Sequence, residues 1–383
     1  MDYEKPTERP AIGVFHCFDH LTFWVGNAKA MAAHYNARFG FTYLAYSGLE
    51  TGSKKVASHV VKNDRIVIQF QSSLDPNDSE GIGAHVMKRG DGVRDVAFSV
   101  DDAAGIYKKA VERGAKSVRE PETLSDEHGQ VVVASILAYN ETIHTFVQRA
   151  GYKGPFMPGY QPHYMEETIN KYLPPVNINF IDHVVCNQPI DEMEPTAEWY
   201  EKMLDFHRFW SVDETIMHTD YSALKSTVMA DFDENIKLPI NEPAIGKKKS
   251  QIQEYVDYYA GSGVQHIALN TKDIIGTITA LRERGVEFLE VPKAYYDNLR
   301  KNIPNMTVEI TEDIDAIEKL RILVDYDDKG YLLQLFTKPI EDRPTLFYEF
   351  IQRHNHQGFG VGNFKSLFKA IEDDQAKRGN LDN

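Results

Sequence analysis

Four matches in the same order divide this chain into two related halves, and that repeat limits the folds open to it more than any single motif. Phe18-Asp19-His20-Leu21 resembles Ile181-Asp182-His183-Val184. The first block is followed by His34-Tyr35, Phe39 and Phe41, the second by Trp199-Tyr200, Leu204 and Phe206, apolar positions at helical spacing. Further on, Gly92-Val93-Arg94-Asp95-Val96-Ala97 matches Gly263-Val264-Gln265-His266-Ile267-Ala268. Each copy then offers an aspartate (Asp102, Asp273) as a helix N-cap and a Glu-Arg-Gly end at Gly114 or Gly285. Each half closes on a hairpin, Val131 to Val147 through Asn140-Glu141 and Arg321 to Phe336 through Asp327-Asp328-Lys329-Gly330. The pattern predicts an α+β protein of four βαβββ modules, paired into two domains over residues 1–155 and 176–383. Residues 156–175, in the Gly- and Pro-rich run from Gly151 to Pro175, read as the linker.

Length agrees with that division, since 383 residues exceed one ordinary core. A net charge of −15 repels phosphate backbones and anionic membranes, which argues against nucleic-acid binding but leaves room for a small anionic substrate beside a metal ion. Cys17 and Cys186 are too few for a disulfide framework or a cysteine-rich zinc site, and fit a reducing compartment. The charged N-terminus has no apolar leader segment, and no apolar run approaches the ~18–20 residues of a membrane span. A cytoplasmic protein is expected.

The halves differ where chemistry is expected. An oxygen-activating Fe(II) centre takes two histidines and one carboxylate on one face and leaves the other positions open. The second half offers His183, His266 and Glu349, the last within the apolar run Leu346-Phe347-Tyr348-Glu349-Phe350, where a lone carboxylate needs a partner. In the first half His20 keeps the first position, Asp95 replaces the second histidine, and Tyr160 is the nearest counterpart of Glu349. A histidine inside a strand is more often a hydrogen-bonded core residue, so the residues alone leave metal site and packed polar group both open. His354 and His356, in the polar turn Arg353-His354-Asn355-His356-Gln357, read as solvated.

The segments Ile181 to Val185, Gly263 to Ala268, Gly330 to Phe336, Phe347-Tyr348-Glu349 and Gly358 to Phe364 resemble the 4-hydroxyphenylpyruvate dioxygenase family of the vicinal-oxygen-chelate superfamily, over nearly the whole chain. The resemblance implies open barrel-like sheets, one Fe(II) per chain on His183, His266 and Glu349, and conversion of 4-hydroxyphenylpyruvate and O₂ to homogentisate and CO₂ in tyrosine and phenylalanine catabolism. It assigns Gln334, Phe336 and Asn241 to catalysis. It adds Ser226, Gln251, Gln265, Phe347, Phe359 and Phe364 as substrate contacts. Strand alternation puts Gln334 and Phe336 on one face but turns Gln265 away from its neighbour His266. From Lys365 the tail reads as an amphipathic helix with Leu367, Phe368 and Ile371 on its apolar face, which the family uses as a lid, and the spacing of Gly358, Gly360 and Gly362 before it suits a hinge. A homodimer is also implied. Hydroxymandelate synthase, which shares substrate and ligands, and a non-catalytic binding module of the same fold are the alternatives. Phe336 with Pro239 and Asn241 favours the homogentisate-forming type.

Overall fold

The first module runs β1 (Phe15–Trp24), α1 (Ala28–Phe39), β2 (Thr42–Ser47), β3 (Val56–Asn63) and β4 (Ile66–Ser73), with α2 (Ile82–Arg89) leading onward. The second runs β5 (Gly92–Val100), α3 (Ala103–Glu112), β6 (Ser117–Asp126), β7 (Gly129–Tyr139) and β8 (Thr142–Gln148), after which β9 (Gln161–Pro162) adds a short edge strand. These ranges come from a computed structural model that describes residues 3–166, 168–212, 223–244 and 246–381, the side chains of 364 and 365 lying outside that description.

The third module is β10 (Ile181–Asn187), α4 (Met193–Leu204), β11 (His207–Val212), β12 (Ala223–Ala230) and β13 (Lys237–Ala244), followed by α5 (Gln251–Tyr259). The fourth begins with β14 (Gly263–Asn270) and α6 (Ile274–Glu283) and ends with β15 (Leu323–Tyr326), β16 (Tyr331–Phe336) and β17 (Phe347–His354). Between α6 and β15 it carries α7 (Lys293–Asn302) and α8 (Ile314–Leu320), which the repeat did not foretell. The C-terminal helix is α9 (Phe364–Lys377).

Local chemistry explains the repeated helices. Asp102 caps α3 by accepting from the Gly105 amide at 2.9 Å, and Asp273 caps α6 by accepting from the Gly276 amide at the same distance. Among the described residues the strands form two mixed sheets, ordered β6-β7-β8-β5-β1-β4-β3-β2-β9 and β11-β12-β13-β10-β14-β17-β16-β15. In both, the first strand of one module lies antiparallel to the first strand of the next and parallel to the last strand of its own. The four-module α+β reading of the sequence therefore describes the architecture. One apolar core runs through both halves, and the Tyr35 and Tyr348 hydroxyls meet across it at 2.9 Å. Among the described residues no helix is long and apolar enough to cross a membrane.

Strand register corrects one part of the sequence reading. In the second sheet Ala268 of β14 stands level with Glu349 of β17, and Ala268 also faces His183. In the first sheet Ala97 faces His20, and the parallel pairing of Asp95 with Ile143 and Phe98 with Phe146 brings Thr145 level with it. Thr145, not Tyr160, is thus the counterpart of Glu349. Its amide and hydroxyl both donate to Asp95, the residue that stands where His266 would.

Candidate metal centre

Three central strands of the second sheet each contribute one donor. His183 sits on β10, His266 on the adjacent β14 and Glu349 on β17, and their donor atoms all lie within 4.8 Å of one another. Glu349 Oε2 is 3.1 Å from His183 Nε2 and 3.4 Å from His266 Nε2. His183 and Glu349 are almost fully buried, at 2% and 3% exposure.

The histidines present the same nitrogen to the centre because their other nitrogen is occupied. Nδ1–H of His183 donates to Asp182 Oδ1 at 2.8 Å, and Nδ1–H of His266 donates to Gln265 Oε1 at 2.9 Å. Both acceptors come from backbone irregularities. Pairing between β10 and β14 steps from Ile181–Leu269 to His183–Ala268, leaving Asp182 as an extra residue, and from Val185–His266 to Cys186–Val264, leaving Gln265 extra. A β-bulge breaks strict alternation, so two consecutive side chains can serve the same face. This is why Gln265 joins the pocket despite the alternation argument.

Burial by itself raises the Glu349 carboxyl, but the charges of His183 and His266 and their hydrogen bonds outweigh it and hold the group at about 2. Burial lowers His266, whereas for His183 the carboxylates of Glu349 and Asp182 overcome burial and raise it. A carboxylate facing two nitrogens whose rear sides are already satisfied is the donor set a divalent metal requires. The residues present fit such an ion.

The centre opens on a cavity. Its walls include Phe336, Phe347, Phe359 and Trp210, and its polar lining includes Ser226, Asn241, Gln251 and Gln265. Ser226 and Asn241 are direct cross-strand neighbours on β12 and β13. Phe347 stacks on the His266 ring at 4.9 Å, and Phe359 meets the His183 ring edge-on at 5.1 Å. Leu367, Phe368 and Ile371 of α9 close the cavity, the face expected from the helical spacing.

Of the residues expected in the pocket, Gln334 is the one placed elsewhere. It shares a strand face with Phe336 but is fully buried outside the cavity lining, and its amide atoms have no hydrogen-bond partner among the described residues. Gly360 covers it: a Cβ there would come within 2.1 Å of Gln334 Nε2. Phe364 opens α9, and its side chain lies outside the described residues. His356 is buried, not solvated, and accepts from the Gly358 amide at 3.1 Å. His354 stacks on Tyr331 at 4.4 Å and bonds to Glu312.

The glycines before α9 serve close packing. A Cβ on Gly358 would strike the His356 ring and one on Gly362 would strike Asp325, while Gly360 has a φ of +78°. Gly360→Ala is expected to cost roughly 1–2 kcal/mol from the left-handed conformation alone. Faster amide exchange over residues 358–371, with β10, β14 and β17 unchanged, is the expected result.

Sequence reasoning missed Asp182, Arg353 and Trp210. The signal for the first was present, because the Asp-His doublet occurs in both halves.

The model of the glyoxalase/bleomycin resistance protein/dioxygenase superfamily matches residues 18–138 and 180–335, more than half of the chain. The chain is 58% identical to 4-hydroxyphenylpyruvate dioxygenase of Tetrahymena thermophila over 99% of its own length and 95% of the relative's. It is 57% identical to the enzyme of that name from Dictyostelium discoideum, covering 95% of this chain and 99% of the other. Among solved structures it is similar to a mutant of 4-hydroxymandelate synthase from Streptomyces coelicolor, with a TM-score of 0.81 and 26% identity over 94% of this chain and 99% of that one.

Proposed function

The chain belongs to the 4-hydroxyphenylpyruvate dioxygenase family, and we propose that it carries out that family's reaction on one Fe(II) held by His183, His266 and Glu349. Substrate and O₂ leave as homogentisate and CO₂. The observation that carries the reading is the buried two-histidine, one-carboxylate set opening directly on an aromatic cavity. When bound, the metal supplies open positions for the α-keto acid and for O₂.

The protein's own residues prepare the rest. With the three donors on one side, the opposite side of the centre faces the cavity. One carboxylate ligand and one substrate carboxylate together neutralise a divalent ion, so closing the pocket buries no net charge there. Phe336 is the cross-strand neighbour of Glu349, which sets an aromatic wall beside the anionic donor. Ser226 and Asn241 lie on strands across β10 from Glu349, so a substrate held at the metal by its keto acid can present its phenol to them. The α9 side chains keep water from the reacting atoms.

The structural likeness to 4-hydroxymandelate synthase favours one other outcome, hydroxylation of the benzylic carbon of the same substrate. The identities of 57–58% to dioxygenases against 26% to that synthase favour ring hydroxylation. Incubation with 4-hydroxyphenylpyruvate, Fe²⁺ and O₂ decides: homogentisate and CO₂ in equal amounts are expected. 4-Hydroxymandelate would transfer the chain to the sister reaction, and bound but unconverted substrate would make it a binding module. We extend the same reading to a cytoplasmic homodimer, for which a sedimentation mass of one chain would be the contrary result.

A further inference from the structure

The guanidinium of Arg353, on β17 four residues beyond Glu349, touches both the support of a metal ligand and the wall of the pocket. Its Nε and one terminal nitrogen donate to the two oxygens of Asp182 at 2.8 and 2.7 Å. Its other terminal nitrogen donates to the backbone carbonyls of His356 at 3.0 Å and Gly358 at 2.6 Å. The same group lies 5.7 Å from the centre of the Phe359 ring, which in turn abuts His183. Asp182 therefore holds a metal ligand, His183, on one side and, on the other, the arginine that fixes the segment carrying Phe359. Asp182 is buried and Arg353 half-buried, with side-chain exposures of 6% and 14%.

The first sheet holds the same arrangement without a complete donor set. Arg149 donates to both oxygens of Asp19 at 2.8 Å, Asp19 accepts from Nδ1–H of His20, and Arg149 also donates to the Phe156 carbonyl. Phe156 meets His20 edge-on at 4.9 Å. The clamp thus belongs to the module and pins the chain after the last strand back onto the first. In the second sheet the two parts it joins are a metal ligand and the pocket wall.

We propose that Arg353 is a positioning residue that couples the orientation of His183 at the metal to closure of the pocket by the Gly358–Phe359 segment. The coupling is reciprocal, as any linkage between two sites must be. A seated metal holds His183 and Asp182, and through Arg353 steadies the closing segment; a seated segment steadies the ligand. The proposal rests on the metal reading above and adds a residue outside the ligand set. Lysine cannot replace arginine here, because a single ammonium lacks the planar fork that serves a carboxylate and two carbonyls together.

The test uses the full chain and Co²⁺ as a spectroscopic probe. In wild type, Co²⁺ is expected to bind once per chain and to slow amide exchange over residues 358–371. In Arg353→Lys the affinity is expected to fall about 10–100-fold, the range for partners of metal ligands, with an altered visible spectrum and no metal-dependent protection of 358–371. Arg149→Lys, which breaks the same clamp in the other sheet, is expected to leave all three readings unchanged. A clamp that only supports the fold would lower the melting temperature in both variants and move neither spectrum nor local protection, and that result overturns the proposal. An unfolded Arg353→Lys protein overturns it too, and Arg353→Gln then shows whether the charge or the fork was needed for folding. Wild-type protein that takes up no Co²⁺, or keeps full uptake after Glu349→Gln, overturns the metal reading and the coupling with it. Normal wild-type uptake with an unaltered Arg353→Lys overturns the coupling alone.

Discussion

Glu349→Gln is expected to abolish turnover and strip the protein of tightly bound metal while the second sheet stays folded. The carboxylate faces Nε2 of both histidines at 3.1 and 3.4 Å and is the sole anion among the three donors. An amide of the same shape keeps the packing between Ala268 and Phe336 but removes the charge that offsets a divalent ion. With substrate bound, the site would then carry an uncompensated positive charge in a buried pocket, which is costly. The loss should exceed the ~10–100-fold typical of residues one step removed from a metal. Metal content by elemental analysis, circular dichroism and oxygen consumption together make the check. Activity within tenfold of wild type would mean that a different carboxylate holds the ion.

The same substitution separates two sources of stability in the metal-free protein. Glu349 is held at about 2, below its ordinary value near 4.5, so its ion pairs stabilise the fold above that ordinary value. That contribution fades as pH falls from about 4.5 toward 2, and the glutamine variant lacks it throughout. Acid unfolding of the two apo proteins should therefore converge at low pH and diverge near neutrality.

Repetition made the fold legible. Helix caps at Asp102 and Asp273, hairpin turns and apolar spacing are local signals, and each recurs, so agreement between copies stands in for evidence that a single copy lacks. The two histidines were legible for the same reason, since His183 and His266 fall where the first half has His20 and Asp95, whereas Glu349 stands out as a lone carboxylate in an apolar run. What stayed hidden depends on register. Gln265 enters the pocket because a bulge spends one residue of β14, and nothing in Gly-Val-Gln-His announces a bulge. Gln334 leaves it because Gly360, 26 positions later, lies across its amide. Sequence offset alone points to Tyr160 as a ligand's counterpart, whereas parallel pairing of β5 with β8 assigns that place to Thr145. By sequence Arg353 belongs to a polar turn, yet it stands as far beyond Glu349 as Arg149 does beyond Thr145.

Removing residues 358–383 is expected to keep a metal site of one ion per chain, with affinity lowered only by the share that the seated segment contributes through Arg353, and to collapse coupled turnover. The donors lie on β10, β14 and β17, whose pairings involve no residue beyond His354. Arg353 keeps both bonds to Asp182 and the one to the His356 carbonyl, so His183 retains most of its support. The pocket fares worse. Phe359 is lost from the His183 ring, and Leu367, Phe368 and Ile371 are lost from the cavity wall, exposing Trp210, Leu224 and Ile252 that pack with Phe368. Water then reaches the reacting atoms, and oxygen is consumed without a matching yield of homogentisate. In the intact chain the helix is tied down at its far end. Arg378 donates to the buried Glu254 at 2.8 Å, and the Asn380 amide donates to the same carboxylate at 2.9 Å. Breaking this latch by Arg378→Ala should give a milder form of the same uncoupling with the apolar face still present. The ratio of oxygen consumed to homogentisate formed is the measurement in both proteins. A ratio near one in the truncated chain would show that α9 excludes nothing, and loss of the folded second sheet would show that the helix is a structural end of the domain.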